Sequence, residues 1–368
     1  MNTRRLSCLA LLLTLLTLAG NRCAAQRQIP VASNRKAAAA ILNYLYDGQP
    51  ADGVLTGQNL GHSNHDIDDG YRSYFKPLKY RVGRTPAIMS VDYGYDEITR
   101  SFADTHYRLI RHADAGGIVT ISMHPPNPWH NSDSHDTSTG NLLELLKPGT
   151  RVHQRWRKEL DHVAKGLAEL RDQNIIVLWR PFHEMNGGWF WWCPENKNGW
   201  PEPEAFVAVW RDMFDYFTHE KKLDNLLWVY SAAVQTSRHD PSAIQFYPGN
   251  DVVDITGLDW YMDDVSELDR YGSYSQLVKL GKPLGLTEFG PSEKRDGTFQ
   301  ASKLIKATKR YPKLRFYVFW HSWPGAHVAM VDIVSGPQLL LDTRAVTLKQ
   351  LPLFSDSANA RQVKSTYP

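Results

Sequence analysis

Two glutamates carry the strongest chemical signal in the chain. Glu184 and Glu288 each come just after a short apolar run. The roughly hundred residues between them amount to about three units of a βα barrel, whose units run roughly 30 to 40 residues. Two carboxyls facing one bond from either side can divide the labour of double displacement. One protonates a leaving oxygen while the other attacks the anomeric carbon, and this requires them to stand only about 5 to 5.5 Å apart. Their neighbours differ in the way the two tasks demand. Glu184 follows Trp179-Arg180-Pro181-Phe182-His183, where aromatic rings can desolvate a carboxyl and raise its pKa. Glu288 needs the reverse, and Arg180 and Tyr261 would hold it ionised if they reach it. For Arg180 the competing reading is a purely structural ion pair inside the barrel.

These residues need elements to position them. Short apolar runs recur at Val54 to Thr56, Ala87 to Val91, Ile118 to Met123, Ile175 to Trp179, Leu226 to Tyr230, Ile255 to Leu258, Pro283 to Leu286 and Phe316 to Phe319. They read as strands. Amphipathic stretches such as Val152 to Gln173 and Glu202 to Glu220 lie between them, the second opened by Pro201 and Pro203. Eight strand–helix alternations predict a single-domain α/β fold, a (β/α)8 TIM barrel, with Glu184 after the fourth strand and Glu288 after the seventh. An open doubly wound sheet would show a Gly-rich phosphate loop after its first strand, and there is none. Polar and aromatic residues gather after the runs: Asp92 and Tyr93, His124 and Trp129, Arg180 to Glu184, Asp259 to Tyr261, Glu288, and Trp320 with His321. In a barrel that is the face where active sites are built.

The segment Arg180-Pro181-Phe182-His183-Glu184-Met185-Asn186-Gly187-Gly188-Trp189-Phe190-Trp191-Trp192 resembles the acid/base segment of glycoside hydrolase family 26. Leu286-Thr287-Glu288-Phe289-Gly290 is similar to the same family's nucleophile segment, and Ser122-Met123-His124-Pro125 and Asp259-Trp260-Tyr261 to its substrate-binding strand ends. The likeness runs from about Gly53 to Trp320. At the eighth strand, Trp320-His321-Ser322 stands where the family pattern has Trp-Arg-Asn. The resemblance implies a retaining β-1,4-mannanase with Glu184 as acid/base and Glu288 as nucleophile. It also implies that His124, His183, Trp189, Asp259, Tyr261 and Trp320 contact substrate. Trp129 and Arg180, at the ends of the third and fourth runs, are read as substrate-binding with them, and no cofactor is expected. Mannobiose-releasing exo action, or action on mixed-linkage β-glucan or β-1,3-xylan, occurs within the same resemblance. Endo or exo action would depend on whether loops such as His62 to Tyr74 or Asn127 to Leu142 wall off the groove. A non-catalytic sugar-binding barrel would lack one of the two carboxylates. Of Trp189, Trp191 and Trp192, one or two are expected in the core.

Other chemistries fail on spacing. His183-Glu184 would open a zinc-protease motif, but the position four beyond the histidine is Gly188. No Gly-x-Ser-x-Gly elbow is present. His62, His65, Asp66, Asp68 and Asp69, like His130, Asp133, His135 and Asp136, match no metal-ligand spacing and read as polar rim loops. The expectation is no metal. Cys193, in the aromatic loop, reads as a packed, inert thiol.

Arg4 and Arg5 precede an apolar stretch from Leu6 to Ala19 and a small-residue site at Cys23-Ala24-Ala25, so residues 1–25 read as a secretory signal peptide. Cys23 follows Gly20-Asn21-Arg22 rather than a lipid-anchor sequence, and no later run is apolar for the roughly 20 residues of a membrane helix. The expected product is a monomer, secreted or periplasmic, with residues 26–368 as one catalytic domain. Only Cys193 then remains, so no internal disulfide can form. The 42 basic and 39 acidic residues are scattered, and the cationic footprint of a nucleic-acid binder is missing. The expected partner is a β-mannan.

Overall fold

The computed structural model describes residues 32–94, 100–193 and 202–354. Eight parallel strands follow one another around a closed ring: Val54–Asn59 (β1), Ile88–Tyr93 (β2), Ile118–Met123 (β3), Val177–Arg180 (β4), Leu226–Ala233 (β5), Ile255–Tyr261 (β6), Leu284–Gly290 (β7) and Leu314–Phe319 (β8). β1 pairs with both β2 and β8, which closes the barrel. All eight apolar runs are strands, and most extend further toward their C-terminal ends than the runs do. Asp92, Arg180, Asp259, Tyr261 and Glu288 therefore sit within the last strand residues rather than in the loops beyond. A strand end held by ladder hydrogen bonds positions a side chain more tightly than a loop can.

Alternate strand residues feed two different cores, as the period-two pleat requires. Leu55, Ile88, Ile118, Leu178, Val229, Ile255 and Phe316 cluster with Ala37, Ala38 and Ile41 of the N-terminal helix Ala32–Asn43, which plugs the end where the strands begin. Met89, Val91, Val119, Ile121, Val177 and Trp179 pack outward against the helices. The longest of these, Arg151–Asp172, follows the expected Val152 to Gln173 within a residue or so. The Thr150 hydroxyl accepts the His153 amide at 3.2 Å to start it. Val152, Trp156, Leu160, Val163, Leu167 and Leu170 form its buried stripe. Pro203–Asp215, continued by a π-type turn to Glu220, fills the second expected helix; Pro201 lies outside the described residues.

The structure departs from eight regular units in three places, one being that β8 is followed, among the described residues, by no helix but the 3-10 turns Pro337–Leu341 and Leu348–Gln350. Between β5 and β6 there is no helix, because residues 234–254 carry Pro241, Pro248 and Gly249 and no helical apolar period. A ninth strand, Ala345–Val346 (β9), pairs with Val54 and Leu55 at the start of β1, below the point where β2 joins β1 at Gly57. No helix among the described residues is long and apolar enough to cross a membrane. The expected signal peptide lies outside the described residues.

Candidate active site

The site is organised around one buried cation. Arg180, the last residue of β4, is 2 % exposed and directs its guanidinium across the barrel. Nη1 donates to Asp259 Oδ2 at 2.7 Å, and Nη2 donates to Glu288 Oε1. The backbone is shaped for this contact. Register slips between Leu258 and Asp259, so Leu258 pairs with Leu286 but Asp259 pairs with Glu288, leaving Thr287 as the extra residue of a bulge. Bulges re-aim side chains, and this one brings both acids to the same guanidinium. The Thr287 and Ser231 hydroxyls donate to the other oxygen of Asp259 at 2.7 and 2.8 Å. Tyr261 OH donates to Glu288 Oε2 at 2.8 Å.

Glu184 is held differently. It lies on a turn beyond β4 with φ of 55°, and Phe182 two residues earlier has φ of 49°, both in the left-handed region that costs a non-glycine residue about 1–3 kcal/mol. Neighbouring packing and hydrogen bonds offset that strain. Phe182 is buried among Trp156, Trp191, Trp192 and Phe206, and the Glu184 amide donates to Ser231 O at 2.9 Å. The Trp189 indole donates to Glu184 Oε2 at 2.6 Å. A Cβ on Gly187 would fall 2.2 Å from that indole, so only glycine leaves room for it. No cation bonds Glu184 among the described residues.

Burial, with the nearby charges of Asp259 and Glu288, pushes Glu184 well above the usual carboxyl range. Burial also raises Glu288, to about 7, while Arg180 and the Tyr261 hydroxyl pull it back down. The expectation that Glu288 is held low is thus met in its contacts but not in the net shift, because complete burial outweighs them. The order between the two acids is set by the cation. A single shared proton belongs on Glu184. One oxygen each of Glu184, Asp259 and Glu288 lie within 4.8 Å of one another.

Above them runs a row of imidazoles. His124 Nδ1 stands 2.8 Å from Asp92 Oδ1, and His124 Nε2 lies 3.2 Å from His183 Nε2. One of the two imidazoles donates to the other across that contact. Burial lowers His124, and burial with the Arg180 charge holds His183 well below the usual histidine range, so both are neutral. Although burial opposes it, His124 and His62 keep Asp92 ionised, well below its ordinary value. Asp92 was noted in the sequence as a strand-end residue but given no role. Its ties to Ser122 and His124 span about thirty positions, a separation that no local motif reports.

These groups open on a cavity of about 570 Å³. His124, His183, Glu184, Trp189, Asp259, Tyr261, Glu288 and Trp320 line it as expected, joined by His62, His135 and Phe190. Trp189 is 43 % exposed there, whereas Trp191 and Trp192 are core residues, in keeping with the expected split. Two expectations need correction. Arg180 is not a wall of the cavity but lies buried beneath it, spending its donors on two carboxylates. Trp129 is not brought to the cavity either. Its indole bonds Glu144 at 3.0 Å and its ring packs edge-on against Trp191. His321, the departure at the eighth strand, donates from Nδ1 to Asn59 Oδ1 at 2.7 Å and meets the His62 ring edge-on. Burial takes it down to about 3, so it is neutral. Cys193 is pushed up to about 12 by burial and stays a thiol.

Of the two rim clusters read from sequence, neither assembles its own members around a point. Asp68 pairs with Arg108, Asp69 with Arg72, and Asp136 is tied to Ser132 and Ser138. His62 instead joins Asp92 and His124, with one donor atom each within 4.8 Å of one another. In the acidic group Arg180 already supplies the counter-charge.

A parallel barrel whose paired acids open on a cavity walled by indole rings defines a glycosidase. Comparison with known proteins narrows the class: the chain belongs to glycosyl hydrolase family 26, whose model matches residues 31–334. The chain is 38% identical over 251 residues to a mannan endo-1,4-beta-mannosidase A and B of Caldalkalibacillus mannanilyticus, covering 65% of this chain and 48% of that protein. It therefore spans about half the length of that relative. It is 33% identical over 286 residues to a mannan endo-1,4-beta-mannosidase of Bacillus subtilis, covering 74% of this chain and 76% of the relative. Among solved structures, a Bacillus subtilis mannanase superimposes with a TM-score of 0.75 at 28% identity, over 87% of this chain and 95% of that one.

Proposed function

We propose that the protein is a retaining endo-β-1,4-mannanase in which Glu184 is the acid/base and Glu288 the nucleophile. The observation that carries the reading is the close approach of the two carboxyls, with an oxygen of each within 4.8 Å of the other. Retaining enzymes need about 5 to 5.5 Å, whereas inverting ones hold the pair about 6.5–9.5 Å apart to admit a water. Glu184, protonated by burial, gives its proton to the glycosidic oxygen. Glu288, ionised through Arg180 and Tyr261, attacks the anomeric carbon and the leaving sugar departs. Glu184, now a base, deprotonates a water that breaks the glycosyl–Glu288 bond and restores the starting state. His124, His183, Asp259 and Trp320 are assigned to the sugar at the cleavage point. Mannan as substrate and endo action rest on the relatives' activities and the family membership. Proton NMR of mannohexaose hydrolysis should show the β-anomer first, before mutarotation. An initial α-product would overturn double displacement.

The same reading treats residues 1–25 as a signal peptide that delivers residues 26–368, one catalytic domain acting as a monomer, to polysaccharide outside the cytoplasm. N-terminal sequencing of the exported enzyme should begin near Gln26; a retained Met1 would contradict it.

A further inference from the structure

Trp323 has no part in the chemistry above, yet it lines the same cavity and is 37 % exposed. Apart from Trp189 and the half-buried Tyr261, which bonds Glu288, the large aromatic rings beside the reacting acids are buried. An exposed indole inside a cleft leaves apolar surface in water without any folding gain, which marks a surface kept for a ligand.

The chain presents this ring on a rigid support. After β8, Trp323-Pro324-Gly325-Ala326 makes a tight turn in which Gly325 has φ of 87°. Proline second and a positive-φ glycine third are the signature of a type II turn, and the Ala326 amide closes it on Trp323 O at 2.9 Å. Ser322 anchors its base. The Ser322 hydroxyl donates to Asp332 Oδ2 at 2.7 Å and accepts the Val328 and Ala329 amides at 3.0 Å, while Tyr74 OH donates to Ser322 O at 2.8 Å. Little ordering remains to be done when a ligand arrives.

Arg295 completes the platform. Its guanidinium carbon lies 5.4 Å from the Trp323 ring centroid, in cation–π range, and Arg295 also lines the cavity. Nε donates to Pro291 O at 3.3 Å, whereas the two terminal nitrogens have no protein partner among the described residues. A neutral ring face beside free N–H donors is what a pyranose uses: its C–H face stacks and its hydroxyls accept. No aromatic ring packs against Trp323 among the described residues, so core packing does not explain it.

Trp189 follows β4 and Trp323 follows β8, four strands apart in a ring of eight, so they stand on opposite walls. Trp189 is bonded to Glu184, the group that protonates the leaving oxygen, which places the departing sugar on its side. We infer that Trp323 and Arg295 form a distal sugar-binding subsite on the glycone side, holding a β-linked pyranose beyond the residue whose bond is cut. The inference rests on the catalytic reading proposed above.

The test is the ratio of kcat/KM on mannohexaose to that on an aryl β-mannoside, whose single sugar cannot reach the subsite, in wild type, Trp323→Ala and Trp323→Phe. Trp323→Ala should lower the hexaose value about tenfold through KM, equivalent to about 1.4 kcal/mol, and leave the short substrate unchanged. Trp323→Phe should recover most of the loss. Equal losses on both substrates, or no loss on either, would overturn the inference. Wild-type inactivity on mannohexaose would sink the substrate reading alone, and the ratio would then be read on the oligomer of whichever β-glycan the enzyme cleaves.

Discussion

The strand-four turn and the end of strand seven each present one buried glutamate to the same cavity, and nearly everything else about them differs. Glu184 stands on a strained left-handed turn, with an indole as its side-chain donor and, among the described residues, no bonded cation. Glu288 stands in a paired strand beside a bulge, bonded to Arg180 and Tyr261. Both carboxyls are pushed up by burial, so burial cannot assign their roles. What separates them is where the guanidinium points. Arg180 belongs to the strand that leads to Glu184, yet it crosses the barrel to neutralise the other acid.

Removing that cation should have the largest effect. Arg180→Met leaves Asp259 and Glu288 buried without a counter-charge, and breaking such a pair costs about 3–5 kcal/mol. The urea midpoint should fall accordingly, and hydrolysis near neutral pH should drop to background because Glu288 then holds a proton. Arg180→Lys keeps a charge but loses the two-pronged geometry, so it should regain part of the stability and little of the activity. A methionine variant with the wild-type midpoint would erase the proposed difference between the two acids.

A smaller effect sharpens the comparison. The Trp189 indole donates to ionised Glu184 and so lowers its pKa. Trp189→Phe removes that bond, Glu184 keeps its proton to higher pH, and the alkaline limb of the kcat/KM profile should move up. The Tyr261 hydroxyl does the same for Glu288. Tyr261→Phe should therefore raise the pKa of the group that must be ionised, moving the acidic limb up instead. If each substitution moves the opposite limb, the assignment of acid and nucleophile is reversed.

Much of this was legible because strand ends are chemically distinctive. Ile118 to Met123 and its counterparts announce themselves as apolar runs, and the residues that interrupt them are the ones turned to the cavity. The same fact hid the true strand ends. Asp259 and Thr287-Glu288 break the apolar pattern while remaining in the ladder. Other features left no local trace. The positive φ at Phe182 and Glu184 is imposed by packing with Trp156 and Phe206 and by the Ser231 carbonyl, all remote in sequence. A strand as short as Ala345–Val346 has too few residues to show a period. Trp129 was drawn toward the site by its place after the third strand, but Glu144 holds it aside. The platform turn at Trp323-Pro324-Gly325 was visible as residues, without any sign of what its indole faced.

The most direct measurement traps the covalent intermediate. Enzyme treated with a 2-deoxy-2-fluoro mannosyl donor carrying a dinitrophenyl leaving group is digested and its peptides sequenced by mass spectrometry. The fluorine slows both steps while the activated leaving group spares the first, so the glycosyl-enzyme accumulates. The account predicts a single label, on the carboxyl of Glu288. A label on Glu184 would contradict it.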